Sequence, residues 1–461
     1  MLGLLLPMLA LPSEAPEPSE APEPVEMRLG NRSQISAGDG INVAEREPSD
    51  SAVRAESSKV TSEDDLAPPP PPEPLWPTAG QFRNLSAEHM AMAQTAWSYF
   101  VREYQPLTGL VNSVAGYRRT TLWDVASVMA GTVAAHELGL IDAAEFDRRI
   151  ERLLQTLVTL PLYRQRLPNR NYSTDRATPV LPTHSTERYR ALNGNGWSVL
   201  DVGRTLGWLT ILQLRYPGYT DAVAMVRAHW QTQWLANDGE LQGARHGLRS
   251  ERRYQEGRLG YEQYAAVAIA LWGESVSAAR FRQAEAQFEV AGIALPSDPR
   301  PRPFLTSDPY YLALLEFGPA AKSLYPAASA IYQAHRQHWQ QTGEVRCYGE
   351  DAVNLAPWFI YNNLHYLQQP WHSTDHQGKA VELGQRISSK CALAWAVLAD
   401  DDFARALWQE AQALHRPKGW LTGLMADGSI NTSRNLNTNG VILTALLYIH
   451  NGNRSLLELA Q

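Results

Sequence analysis

The sequence predicts an all-α fold, an (α/α) toroid of about six helix pairs preceded by a disordered Pro-rich N-terminal segment. Three observations carry that prediction. First, one pattern recurs along the 461 residues. A polar-aromatic cluster opens an Ala/Leu-rich apolar helix, a short turn follows, and an amphipathic helix rich in Arg, Gln and Glu comes next. Copies open at Thr120-Thr121-Leu122-Trp123-Asp124, at Asn195-Gly196-Trp197 running to Asp201, and at Leu259-Gly260-Tyr261-Glu262-Gln263-Tyr264. Others open near Ser307-Asp308-Pro309-Tyr310 and at Asn437-Thr438-Asn439-Gly440. Second, helices apolar all round alternate with half-polar ones; the former must be enclosed and the latter face water. Third, inner-to-outer turns are short and outer-to-inner connections are long, so the long loops and the inner-helix N-termini share one face. Chemistry is expected on that face.

Taken in order, residues 1–11 are a short apolar run without Lys or Arg. The run is too short to span a bilayer and has no basic n-region. It reads as a truncated or degenerate signal segment, or as an ordinary disordered N-terminus. Residues 12–80 form a Pro/Glu/Ser-rich linker closing on Pro68–Pro72. They hold too few large apolar side chains to offset the ordering entropy. Such a tether suits a domain held away from a membrane or envelope, hence a periplasmic, secreted or envelope-associated location. Residues 81–461 are the toroid.

Ser86 is placed to cap the first helix, whose Met90, Ala93, Ala96, Trp97, Phe100 and Val101 keep helical spacing. Inner helices are expected at 121–138, 198–215, 260–273, 308–317, 386–399 and 438–450. Outer helices are expected from Asp142 and at 219–235, 276–290, 320–341 and 401–415. Gly139 provides a C-terminal stop. Trp358-Phe359-Ile360 reads as a helix opening with no clear outer partner. Strand signals are sparse, so at most small hairpins are expected, in the loops 161–197, 236–259, 342–355, 368–380 and 416–437.

A formal net charge of −7 argues against nucleic acid as a partner. No basic run suits docking on a membrane surface. The two cysteines, Cys347 and Cys391, form no CxxC pair; they are one disulfide or, the plainer reading, two buried thiols. There is no HExxH, P-loop or GxSxG motif. His335 with His338, on an outer helix, and His372 with His376 bring too few ligand types for a metal site. No metal or cofactor is expected, and the oligomeric state is left open.

Several segments resemble the bacterial family called domain of unknown function 3131. They are Ala96-Trp97-Ser98-Tyr99-Phe100 with Thr108-Gly109-Leu110-Val111, Thr121-Leu122-Trp123-Asp124, and Pro168-Asn169 with Tyr172. Trp197-Ser198 with Asp201-Val202-Gly203-Arg204 and the run Gly260-Tyr261-Glu262-Gln263-Tyr264-Ala265-Ala266 complete them. The resemblance spans roughly residues 86–450. It implies a glucoamylase-like α/α toroid, a class that includes hydrolases of bacterial β-glucans, and it carries no established catalytic residue.

The chemistry expected at the mouth is therefore glycoside hydrolysis of a bacterial glucan or exopolysaccharide by paired carboxyl groups. A non-catalytic glycan-binding or scaffold protein of the envelope is the alternative; in either case the partner is a poly- or oligosaccharide. Glu262, between Tyr261 and Tyr264, is the candidate general acid, because an apolar setting keeps a carboxyl protonated. Its position near a helix N-terminus is an equally good structural reason for an acidic residue. Asp124 is a candidate base or ligand to sugar hydroxyls and Asp201 a further catalytic candidate, although Asp124 suits an early-turn cap and Asp201 an ion pair with Arg204. Glu350 and Asp351 read as a solvated loop pair rather than a mobile base. Trp123, Trp197, Tyr261, Tyr264, Tyr310 and Trp358 are candidate sugar platforms. Asn195 and Asn439, with Asn362 and Asn437, could bind hydroxyl groups or cap turns.

Overall fold

The computed structural model describes residues 80–180, 194–247 and 250–460. The expected signal segment, the linker up to residue 79 and part of the 161–197 loop lie outside the described residues. The helices are α1 (Ala87–Glu103), α2 (Leu122–Glu137), α3 (Ala143–Thr159), α4 (Val199–Arg215), α5 (Thr220–His229) and α6 (Tyr261–Trp272), then α7 (Ser277–Arg280), α8 (Asp308–Glu316), α9 (Tyr325–Thr342), α10 (Ser389–Leu398), α11 (Asp402–Gln412) and α12 (Leu436–His450).

Local chemistry starts and stops them as expected. Ser86, Thr121, Asp142, Ser198, Asp401 and Asn435 each accept a first-turn backbone N–H as N-caps. Gly139 follows α2 with positive φ, and Gly273 ends α6 in the left-handed region.

The even-numbered helices are the enclosed ones. Each packs on the next, α2 on α4, α4 on α6, α6 on α8, α8 on α10 and α10 on α12, and α12 returns to α2. Outside them lie α3 against α2, α5 against α4, α9 against α8, α11 against α10 and α1 against α12. The first helix thus completes the last pair. Close approach within the ring needs small residues. A Cβ on Gly207 would lie 2.9 Å from that of Ala268, so α4 and α6 meet nearly backbone to backbone. The interior is tied by a fully buried ion pair, Arg204 on α4 with Glu316 on α8 at 2.9 Å. Arg204 also donates to Ser127 on α2 and Asn437 on α12, and Tyr264 on α6 donates to Glu316. Five inner helices meet at this one network.

The expected outer helix at 276–290 is a correction. Only α7 forms, and the chain continues as a hairpin of β6 (Ala286–Val290) and β7 (Ile293–Ser297). Ala291 and Gly292, both at positive φ, make the two-residue turn that strand twist favours. Strands are also more numerous than expected, though all lie in connections. They form small antiparallel sheets: β1 (Arg119–Thr120) with β2 (Tyr172–Ser173), and β3 (Ala236–Asn237), β4 (Glu240–His246) and β5 (Glu251–Gln255). Two further sheets join β8 (Glu350–Ala352), β9 (Phe359–Tyr366) and β10 (Gln369–Thr374), and β11 (Gln385–Ser388), β12 (Gly423–Met425) and β13 (Ile430–Asn431). Trp358-Phe359-Ile360 therefore opens a strand, in keeping with the aromatic and branched residues that follow.

Cys347 and Cys391 are a disulfide, Cα to Cα 5.9 Å, rather than two thiols. His335 is fully buried, and its Nε2 accepts the Tyr348 N–H at 3.0 Å. Among the described residues no helix is long and apolar enough to cross a membrane.

Candidate active site

Where the inner helices begin, nearly every residue is buried, and the exceptions mark an accessible mouth. Trp123 opens α2, Leu200 and Asp201 lie in the first turn of α4, Tyr261 opens α6 and Asn437 lies in the first turn of α12. Each is half-buried between fully buried neighbours. Glu350 on β8 and Tyr361 on β9 are half-buried in the same way.

Trp123 is the floor. Its ring lies 5.4 Å from that of Tyr261 and over the Arg204 guanidinium at 4.5 Å, and its indole N–H donates to Asn437 Oδ1 at 3.3 Å. The interior network therefore holds the floor rigid from below.

The first carboxyl is Asp201. The ion pair expected with Arg204 does not form, because Arg204 turns inward to Glu316. Asp201 instead lies among Glu256, Arg170 and Asp124. Glu256 has its oxygens committed to Arg170 (3.0 Å), the Tyr254 hydroxyl (3.2 Å) and the Val199 N–H (2.7 Å). Burial, reinforced by the Glu256 carboxylate, pushes Asp201 up to about 7. Asp124 is a helix cap, accepting the Thr121 N–H (3.1 Å) and hydroxyl (2.9 Å), and burial raises it against those bonds.

The second carboxyl is Glu350, and the solvated pair expected of Glu350 and Asp351 is overturned. Both lie on β8, Asp351 wholly buried. Asp351 accepts from Gln385 at 2.7 Å and lies 3.7 Å from Lys390; burial pushes it to about 6 against the pull of that ammonium. Glu350 accepts the Thr306 hydroxyl at 2.8 Å and meets the Tyr261 hydroxyl. Burial and the adjacent Asp308 carboxylate drive Glu350 well above the usual carboxyl range. Tyr361 is within electrostatic reach of both Asp201 and Glu350.

The structure gives other candidates structural work. Glu262 is fully buried and accepts from Arg282 (3.0 Å), Arg300 (2.7 Å) and Gln255 (3.1 Å). Two guanidiniums and an amide surround this carboxyl, in place of the apolar setting expected of a general acid. Trp197 is wholly buried and donates to Gln242 O at 2.8 Å. Tyr264 and Tyr310 are buried in the core. Asn195 is buried, its N–H donating to Asn169 Oδ1; Asn439 is buried and accepts the Trp420 N–H. Trp358 is 49% exposed at the β8–β9 turn, a solvent-facing platform rather than a mouth residue. Sequence reasoning did not single out Asp308, Tyr361, Lys390, Arg170 or Glu256. Asp308 alone carried a signal, standing in one of the repeated helix openings.

The family described as protein of unknown function (DUF3131) matches residues 91–452. The chain belongs to this family. No curated protein matches the sequence. Among solved structures, the DUF3131 domain is similar to an endo-β-1,2-glucanase from Chitinophaga pinensis, seen with sophorotriose and glucose. The TM-score is 0.56 at 11% identity, covering 82% of this chain and 95% of that one. It is similar also to a β-1,2-glucanase from Parabacteroides distasonis, with TM-score 0.58 and 11% identity over 81% of this chain and 58% of that one. At such identities the likeness is one of fold.

Proposed function

We propose that this protein is a glycoside hydrolase acting on a bacterial glucan at the mouth of an α/α toroid. The observation that carries the reading is the pair of half-buried carboxyl groups, Asp201 and Glu350, both within electrostatic reach of Tyr361, with the Tyr261 hydroxyl meeting Glu350 and its ring against Trp123. Glu350 is the proton donor to the leaving oxygen: its carboxyl stays protonated where an ordinary glutamate would not. Asp201 is the base or nucleophile. Trp123 and Tyr261 stack against sugar rings, and Asn437 binds a hydroxyl group. The glucanases that share the fold make β-1,2-glucan the first polymer to try. The Cys347–Cys391 disulfide supports a periplasmic or secreted location.

The experiment is release of reducing sugar from a panel of bacterial glucans, β-1,2-glucan included, by wild type, Glu350→Gln and Asp201→Asn. Wild type should release sugar, and each variant should lose about 10²–10⁴-fold. Binding without release by wild type would make the protein a glycan-binding module instead.

A further inference from the structure

Lys390 is wholly buried, yet it lies behind the site rather than in it. It ion-pairs with Asp308, whose side chain is also buried. Together the two grip the backbone of Glu350 at both ends: Asp308 Oδ2 accepts the Glu350 N–H at 3.0 Å, and Lys390 Nζ donates to the Glu350 carbonyl at 2.6 Å. Tyr311 steadies Asp308 with a hydroxyl donated at 2.8 Å. Burying a lysine and a carboxylate is costly unless geometry repays it. Here it fixes one residue of a short strand against two helices. We propose that Asp308 is the positioning residue for Glu350, gripping its backbone beside a second carboxyl group, with Lys390 as its anchor.

The proposal rests on the hydrolase reading only in calling Glu350 the proton donor. The groups facing Glu350 are Asp308 and Tyr311 from α8, Lys390 from α10, Tyr261 from α6, Tyr361 from β9 and Thr306 from the chain before α8. The Asp308 carboxylate acts on Glu350 more strongly than the opposing Lys390 charge. Removing Asp308 while keeping its shape should therefore release the Glu350 proton at lower pH.

The test is a ¹³C-carboxyl NMR titration of the full chain labelled at glutamate Cδ, with Glu350 assigned through Glu350→Gln. In wild type Glu350 should titrate well above the other glutamates. In Asp308→Asn its midpoint should fall by at least about one unit. The double variant Asp308→Asn/Lys390→Met, which removes both members of the pair, should shift it in the same direction by less. An unchanged midpoint in both would overturn the proposal. The readout needs no substrate, so absence of glucan turnover would sink the hydrolase reading while this result still stood or fell by itself.

Discussion

Glu262→Gln separates a structural glutamate from a catalytic one. The wild-type side chain is fully buried and bonded to Arg282 and Arg300, each about a quarter exposed. Glutamine removes the charge and points an amide donor at two cationic donors. Breaking one side of a buried ion pair costs about 3–5 kcal/mol. Arg282 keeps Glu240 and Arg300 keeps Asp298, and both reach water. The loss should therefore lie at the lower end, about 3 kcal/mol. The assay is urea unfolding followed by tryptophan fluorescence, alongside turnover on the glucan that wild type cleaves. The variant should unfold at clearly lower urea, and the folded enzyme should lose far less turnover than Glu350→Gln. An unchanged unfolding midpoint with turnover abolished would refute this reasoning and return Glu262 to the role of proton donor.

Two further outcomes follow from the same geometry. Because the Asp201 pKa in the folded protein is raised above that of the unfolded chain, to about 7, its proton favours the folded state at low pH, and that stability is lost as pH rises through this window. Asp201→Asn should thus melt near wild type at about pH 4 and above it beyond about pH 7; a pH-independent difference would contradict the assignment. In wild type, turnover should rise as pH passes about 7, where Asp201 ionises, and fall at higher pH where Glu350 loses its proton; an optimum near pH 5 would exclude this pair. The disulfide closes a loop of sequence separation 44, so Cys347→Ser/Cys391→Ser should lose about 4 kcal/mol of unfolding free energy. Equal urea midpoints would show that the bond contributes nothing.

The ring was legible in the sequence because its signals are local. Thr121, Ser198 and Asn435 cap helices with their own side chains, Gly139 stops one, and the enclosed helices carry apolar residues on every face. Trp123, Tyr261 and Asp201 stood out in the sequence for the same reason: they occupy the first turns of those helices. The hairpin at 286–297 escaped because helix-forming residues there are overridden by a positive-φ turn that only the pairing of β6 with β7 reveals.

Which charges surround each carboxyl was decided by tertiary structure alone. Glu262 and Glu350 cannot be told apart by type or by flanking aromatic residues. What separates them is which charges the fold delivers: two arginines from the chain after α6 to Glu262, an aspartate from α8 to Glu350. The Arg204 partner, Glu316, lies 112 residues away rather than three, and Lys390 reaches Asp308 from 82 residues away. Caps and apolar periodicity act within a turn or two of chain, so the sequence by itself determined the helices and their enclosure. Protonation depends on burial and on charges brought from distant segments, and only the closed ring sets those.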